Sequence, residues 1–178
     1  MPIPLHLWLK DSNGGDVRGS SLVAGREGSI EVLGFKHGMH APADGVTGKL
    51  LGSRLHMPVL IEKEIDRSSP MLYLALARGQ TLKSAEIKWY RVDDSGREVE
   101  YFNMMLGNVK VVSVIPKVSN IKEDAALAYN HVEQVKLRYE EITWSYLDGN
   151  LQYANHRRAC CGKQKDSKHS LPLFMSPR

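Results

Sequence analysis

The chain has 178 residues, 42% hydrophobic and 25% charged, which suits one globular domain with a real core. No apolar run approaches the roughly 20 residues that span a bilayer, and the N-terminal stretch has neither a basic n-region nor a small-residue cleavage site, so no membrane span and no cleaved signal are expected. The net charge of +4 belongs to residues 157–178, with six basic residues and one acid; the remaining 18 basic and 19 acidic residues leave the body near neutral, and nucleic acid is not an expected partner.

Both cysteines, Cys160 and Cys161, sit in that basic tail, so no disulfide holds the body together and folding in the cytoplasm is expected. An adjacent pair lacks the spacing of a zinc ligand set. The tail carries no periodicity and is expected to be disordered, which divides the chain into a body, 1–156, and a tail, 157–178.

Taken in chain order, the body reads as strands. Leu5 to Lys10 and Ser29 to Phe35 are the first two. Residues 38–54 then carry Gly38, Gly45, Gly48 and Gly52 with Pro42 and few apolar side chains, the mark of a long projecting loop or loose hairpin. Leu55 to Ile65 is a strand that Pro58 confines to an edge or a bulge. Ser68-Ser69-Pro70 supplies a helix cap with proline at the first helical position, and Gly79 ends the helix; Leu72, Ala75 and Leu76 form its packing face. Two turns of helix are marginal alone and must pack on something.

Ile87 and Trp89 alternate with Glu86 and Lys88, the Asp93-to-Gly96 cluster makes a turn, and Val99 to Phe102 completes a hairpin. Asn108 to Ile115 is a β-branched strand ending at Pro116. A weak helical turn is expected at 123–129. Val135, Leu137 and Tyr139 alternate with Gln134, Lys136, Arg138 and Glu140, a half-buried strand. The expected class is mainly β: a β-barrel of two packed antiparallel sheets, one short flanking α-helix and a long projecting loop.

The search for chemistry yields little. Residues 45–50 resemble a phosphate loop, but Ala43 and Leu50 stand where the pattern needs glycine and Ser or Thr. His37, His40 and His56 have no carboxylate or cysteine at ligand spacing and read as surface or interface histidines. Glu62, Glu64 and Asp66 read as a solvated strand face, and Trp8, Trp89 and Trp144 as core packing. No nucleophile elbow or body cysteine is present, so no catalytic residue, cofactor or metal is expected.

Several strings resemble one family. Ser68-Ser69-Pro70-Met71-Leu72-Tyr73-Leu74-Ala75, then Gly79 to Tyr90, together with Pro2 to Leu9, Arg26 to Gly38, Glu98 to Asn103 and Val132 to Trp144, are similar to the haemolysin-coregulated (Hcp) proteins of bacterial type VI secretion. The resemblance runs to about Asn155. It implies a barrel with one flanking helix, six copies in a ring, and rings stacked as the inner tube of a contractile machine. It implies export from the cytoplasm without a cleaved signal, effectors carried in the ring, and tip and sheath proteins as partners. The family's ring-stacking loop corresponds to residues 40–54, making His40, Asp44, Gly45, Gly48, Lys49 and Arg54 the candidate contact residues. The tail matches nothing in the family. A small barrel hydrolase or ligand-binding protein is the alternative, suggested by the histidines and the loop; a nucleic-acid arm at the tail is a third.

Overall fold

A computed structural model describes residues 3–118 and 130–156. The helical turn expected at 123–129 and the tail lie outside them. The chain is mainly β, with two antiparallel sheets and one short helix. The strands are β1 (Leu5–Lys10), β2 (Asp16–Val17), β3 (Ile30–Val32), β4 (Gly34–Lys36), β5 (Met39–His40), β6 (Leu55–His56) and β7 (Val59–Glu64). Helix α1 (Ser69–Ala77) follows, then β8 (Thr81–Val92), β9 (Glu98–Lys117), β10 (Val132–Arg138), β11 (Glu141–Tyr146) and β12 (Leu151–His156). The strand expected over 55–65 is split at Met57-Pro58, because proline has no N–H for a ladder.

The larger sheet closes on itself. Its ladder runs β1, β8, β9, β10, β7, β4, while β3 pairs with β1. β3 and β4 are one stretch of chain, interrupted only at Leu33, whose N–H donates to the Glu62 carbonyl at 2.8 Å. Residues 30–36 therefore bond to β1 at one end and β7 at the other, which removes the open edges a flat sheet would present. Closure needs close approach at Gly34, where a Cβ would lie 3.1 Å from that of Glu62. Leu7, Ile30, Ile61, Ile87, Leu106 and Leu137 fill the interior. Trp89 joins them in a chain of edge-to-face rings, 5.1 Å from Phe35 and 5.0 Å from Phe102.

Two expected strands, at 99–102 and 108–115, are parts of one. β9 runs for 20 residues through Asn103 to Gly107, and Asn108 takes a positive φ of 50° within it. β8 lies along one edge of β9; on the other, β10 pairs with 110–117 and β11 with 102–107. Gly107 admits that crossing, since a Cβ there would meet the Glu141 side chain at 3.1 Å.

The helix is fastened at both ends. Gly79, at φ 61°, donates to the Leu76 carbonyl (3.1 Å) and Gln80 to that of Ala75 (2.9 Å), so the last carbonyls are satisfied. The N-terminus departs from expectation. The Ser68 side chain makes no capping bond, Pro70 is the second helical residue, and the Ser68 hydroxyl donates to Asp66 instead. Lys63 and Glu133, cross-strand partners, point inward with Ile61 and Val135 and are fully buried. Lys63 Nζ lies 2.8 Å from Glu133 Oε1, 2.9 Å from Asp66 Oδ1 and 2.7 Å from the Glu64 carbonyl. The Ser69 hydroxyl donates to Glu133 Oε1 at 2.7 Å. Asp66 is thus part of a buried charge cluster, not of a solvated face. Its carboxyl is held below the ordinary value: burial opposes this, but bonds from Lys63 and Ser68 outweigh it. From this anchor α1 packs on β9, with Leu72 and Ala75 buried and Leu76 partly so.

Leu72→Ala should cost about 2–5 kcal/mol, read as a lower denaturation midpoint. Lys63→Met, which strands Glu133, should cost about 3–5 kcal/mol, and pairing it with Glu133→Leu should recover most of that loss in the same measurement.

Candidate functional site

The loop expected at 38–54 is a hairpin. β5 pairs with β6, Ala43 bridges Leu50, and the Leu51 N–H donates to the Pro42 carbonyl at 2.7 Å. Asp44 builds the tip: its Oδ1 accepts the N–H groups of Thr47 (2.7 Å) and Val46 (2.9 Å) and the Thr47 hydroxyl (3.0 Å). Those bonds, the Thr47 amide foremost, hold its carboxyl below the usual range. Gly48 turns the chain at φ 68°, and nothing stands within 4 Å of a Cβ built at Gly45. His40, Lys49 and Arg54 are exposed along the arm. Between them the hairpin presents apolar side chains to solvent: Val46 is 96% exposed, Leu50 68%, and Leu51 and Leu55 about half. Exposed apolar side chains grouped on one projection mark a contact surface.

The stem is clasped to the barrel by a group that spacing did not reveal. His37 Nε2 lies 2.6 Å and His56 Nδ1 2.9 Å from the hydroxyl of Tyr139, on the turn between β10 and β11. His37 and His56 are therefore structural partners of the barrel rather than loose surface groups; of the three loop histidines only His40 is exposed. Burial, and then the charge of His56, push the His37 imidazole below its ordinary value. Asn155 on β12 reaches Met39 Sδ at 4.0 Å, and Tyr153 stacks on Trp144 at 5.8 Å. β12 bonds to β11 along one edge, and among the described residues no strand pairs with the other; Leu151 and Tyr153 stand exposed on it.

A polar face covers the outside of β1, β8 and β9. Lys88 Nζ lies 3.4 Å from Glu86 and 3.3 Å from Glu100, and Asn103 donates to both acids. Burial pulls the Lys88 ammonium down, but the two acids outweigh it and hold the proton firmly. Trp8 belongs to this face, its ring 5.1 Å below the Lys88 ammonium. It is outside the barrel core because it shares the parity of His6, not of Leu7 and Leu9.

Among the described residues, the serine–histidine contact in reach of a hydrolase reading is built for structure. His6 is fully buried under residues 18–29. Its Nδ1 lies 2.8 Å from Ser29 Oγ, but the Ser29 hydroxyl donates to the Arg26 carbonyl at 2.7 Å. Ser29 therefore accepts from His6, and His6 Nε2, 3.4 Å from Arg26 Nη1, accepts from the guanidinium. No lone pair is left to take a proton from the serine. Burial and the Arg26 charge lower the imidazole to about 4. Arg26 itself pairs with Glu98 at 2.7 Å and stacks 3.5 Å over Tyr90. A cavity of about 450 Å³ lies beside this loop, walled by Trp8, Arg18, Leu22, Glu27 and Arg67. Among the described residues no helix is long and apolar enough to cross a membrane, and no three His, Cys, Asp or Glu are grouped to hold a metal ion.

These features define a class: a closed antiparallel barrel with a projecting hairpin and an edge strand that both carry exposed apolar groups. Comparison with known proteins gives the family. Residues 7–146 match the family described as "Type VI secretion system effector, Hcp". The "Major exported protein" of Pseudomonas aeruginosa is 33% identical over 131 residues, 74% of this chain and 76% of that one. A mutant Hcp1 protein from E. coli EAEC 042 is 55% identical, with a TM-score of 0.78 over 86% of this chain and 98% of that one. The secreted protein Hcp3 from Pseudomonas aeruginosa shares the fold at 24% identity, with a TM-score of 0.71 over 88% and 99% of the two chains. The chain belongs to the Hcp family.

Because His6 is neutral in the fold and titrates near 6.5 when unfolded, the unfolded chain binds more protons between those values. Stability should be full above about 6.5 and fall by up to about 3 kcal/mol as pH drops towards 4, read from denaturation midpoints across that range. His6→Gln should flatten this part of the curve.

Proposed function

We propose that the chain is a structural subunit of a type VI secretion inner tube. Six copies close into a ring, rings stack through the hairpin of β5 and β6, and the assembled protein leaves the cytoplasm, carrying effectors in its channel and meeting the tip and sheath proteins. The observation that carries this reading is the hairpin itself. Its order comes from its own turn and its stem, yet it holds Val46, Leu50 and Leu51 out in water, an arrangement that gains free energy only when another surface covers them. Asp44, Gly45, Gly48 and Lys49 shape and flank the tip, and His40 and Arg54 line the arms.

Ring closure needs a second, heterologous contact that returns on itself. The free edge of β12 and the outer face of α1, where Met71 and Tyr73 are exposed, are suited to it. The barrel interior is filled, so the channel lies between subunits rather than through one. The half-buried Glu86, Lys88, Glu100 and Asn103 face, or the exposed Lys136 and Arg138 on β10, supplies a polar wall. The membership of the Hcp family and the exported relative support this reading. The hydrolase alternative draws no support from the His6–Ser29 pair, whose bonds are already committed.

Light scattering on the purified protein should return a mass about six times the monomer, and electron microscopy should show rings with an open centre. A monomer at every concentration would overturn the proposal. Deleting residues 45–52 should leave ring mass unchanged and abolish stacks of rings; long tubes from that variant would mean that the axial contact lies elsewhere.

A further inference from the structure

We propose that the cavity beside residues 18–28 is the receptor for the hairpin tip of a second copy of this chain, so that each subunit carries the donor and the acceptor of the axial contact at opposite ends of its barrel. The proposal rests on the stacking role given to the hairpin above and adds the surface on which that hairpin lands.

The placement comes from one two-stranded ribbon. β4 pairs antiparallel with β7, Lys36 opposite Leu60 and Gly34 opposite Glu62. At one end of the ribbon both strands continue into the hairpin stem. At the other end β7 leads to Arg67, and β3 is entered from Glu27 and Gly28; these three residues line the cavity. The Ser20 N–H donates to Asp66 Oδ2 at 3.2 Å and ties the two walls together. At about 3.3 Å per residue, β7 sets hairpin and cavity roughly 20 Å apart. A contact that does not close on itself joins two different surfaces of each copy, and a head-to-tail stack needs them at opposite ends. The exposed Leu151 and Tyr153 lie at the wrong end for this, on the strand whose Asn155 reaches Met39 at the hairpin root.

The cavity is built before anything enters it. The Gly19 N–H donates to the Gly28 carbonyl (2.8 Å), that of Gly28 to the Ser21 carbonyl (2.9 Å) and that of Ser21 to the Ser29 carbonyl (3.2 Å). A Cβ at Gly19 would collide with the Ser29 carbonyl oxygen, so this position requires glycine. The loop so fixed holds Leu22 at the rim with 90% of its surface exposed, just as the hairpin holds Val46. Arg18 and Arg67 stand on the wall, and among the described residues neither guanidinium makes a hydrogen bond or an ion pair. Asp16, on which the Arg18 charge acts, is already paired with Lys10 at 2.9 Å.

The tip answers these groups. Asp44 commits Oδ1 to its own turn, which leaves Oδ2 without a partner among the described residues and able to accept from a guanidinium. Lys49 stands across the hairpin from it, the Asp44 N–H donating to the Lys49 carbonyl at 2.8 Å, and its exposed ammonium complements Glu27. Between the two charges Val46 is placed to cover Leu22 and the half-buried Trp8. Both surfaces are ordered before they meet, so docking loses little conformational freedom.

A disulfide trap on the full-length protein tests the contact. In a chain with Cys160→Ser and Cys161→Ser, Val46→Cys together with Leu22→Cys should link chains under mild oxidation, and light scattering should find the linked species at multiples of the ring mass; neither substitution alone should link them. Arg18→Glu with Arg67→Glu, in the natural cysteine background, should leave ring mass unchanged and reduce tubes seen by electron microscopy to single rings. Those rings keep their hairpins, and rings lacking residues 45–52 keep their cavities, so mixing the two should give particles of two rings and no longer stacks. No link in the paired cysteine variant, links confined to the mass of one ring, or tubes of undiminished length in the double glutamate variant would overturn the proposal. Tubes that survive the double glutamate change but not the hairpin deletion would remove the cavity and leave the stacking role of the hairpin standing; tubes that survive both would overturn that role as well.

Discussion

The buried pair Lys63–Glu133 is the contact on which the rest of this architecture hangs. An ammonium and a carboxylate in a barrel interior are tolerable only together, and better the more of their remaining bonds are met. Here Lys63 bonds Ser69, Asp66 and the Glu64 carbonyl, and Ser69 donates to Glu133 Oε1, while among the described residues Glu133 Oε2 has no hydrogen-bond partner. The groups that bond the pair lie at the start of α1 and in the segment leading into it, which ties the start of the helix to the pair. The helix in turn lays Leu72 and Ala75 against β9, the strand that carries both the barrel and the β11–β12 arm. One electrostatic requirement at the end of β7 thereby propagates through helix placement to the far side of the molecule.

Around that centre, the hairpin and β12 are among the elements that hold apolar side chains out in solvent. The hairpin tip is tied by Asp44 to its own backbone, so little conformational freedom remains to be lost when it meets another surface. The loop over β1 is held by a neutral His6 and a doubly engaged Arg26, at the cost of acid sensitivity. In both segments polar side chains do the positioning.

Much of this was legible in the residues, and the limits have physical causes. Alternation placed Val135, Leu137 and Tyr139 inside, and Gly79 marked the end of the helix, because both signals are local. Glu62-Lys63-Glu64 looks like any solvated strand end; that Lys63 faces inward depends on Glu133, 70 positions away in sequence. Ser68 and Pro70 read as a helix start of the ordinary kind, but Asp66 competes for the serine hydroxyl. The length of β9 was hidden by Asn103, Gly107 and Asn108, residues of low β-propensity that a strand braced on both edges can carry. His37 and His56 looked unoccupied because the oxygen that joins them is remote in the chain.

The length of β9 has a mechanical consequence. Its 20 residues run without a break from the hairpin with β8, past the β11–β12 arm, to the segment paired with β10. A pull along that axis loads many ladder bonds in parallel, whereas a pull across it would open them one after another. The barrel is accordingly stiffer in one direction than in the perpendicular one, and a particle driven lengthwise with β9 aligned to its travel would meet the stress that this ladder resists best.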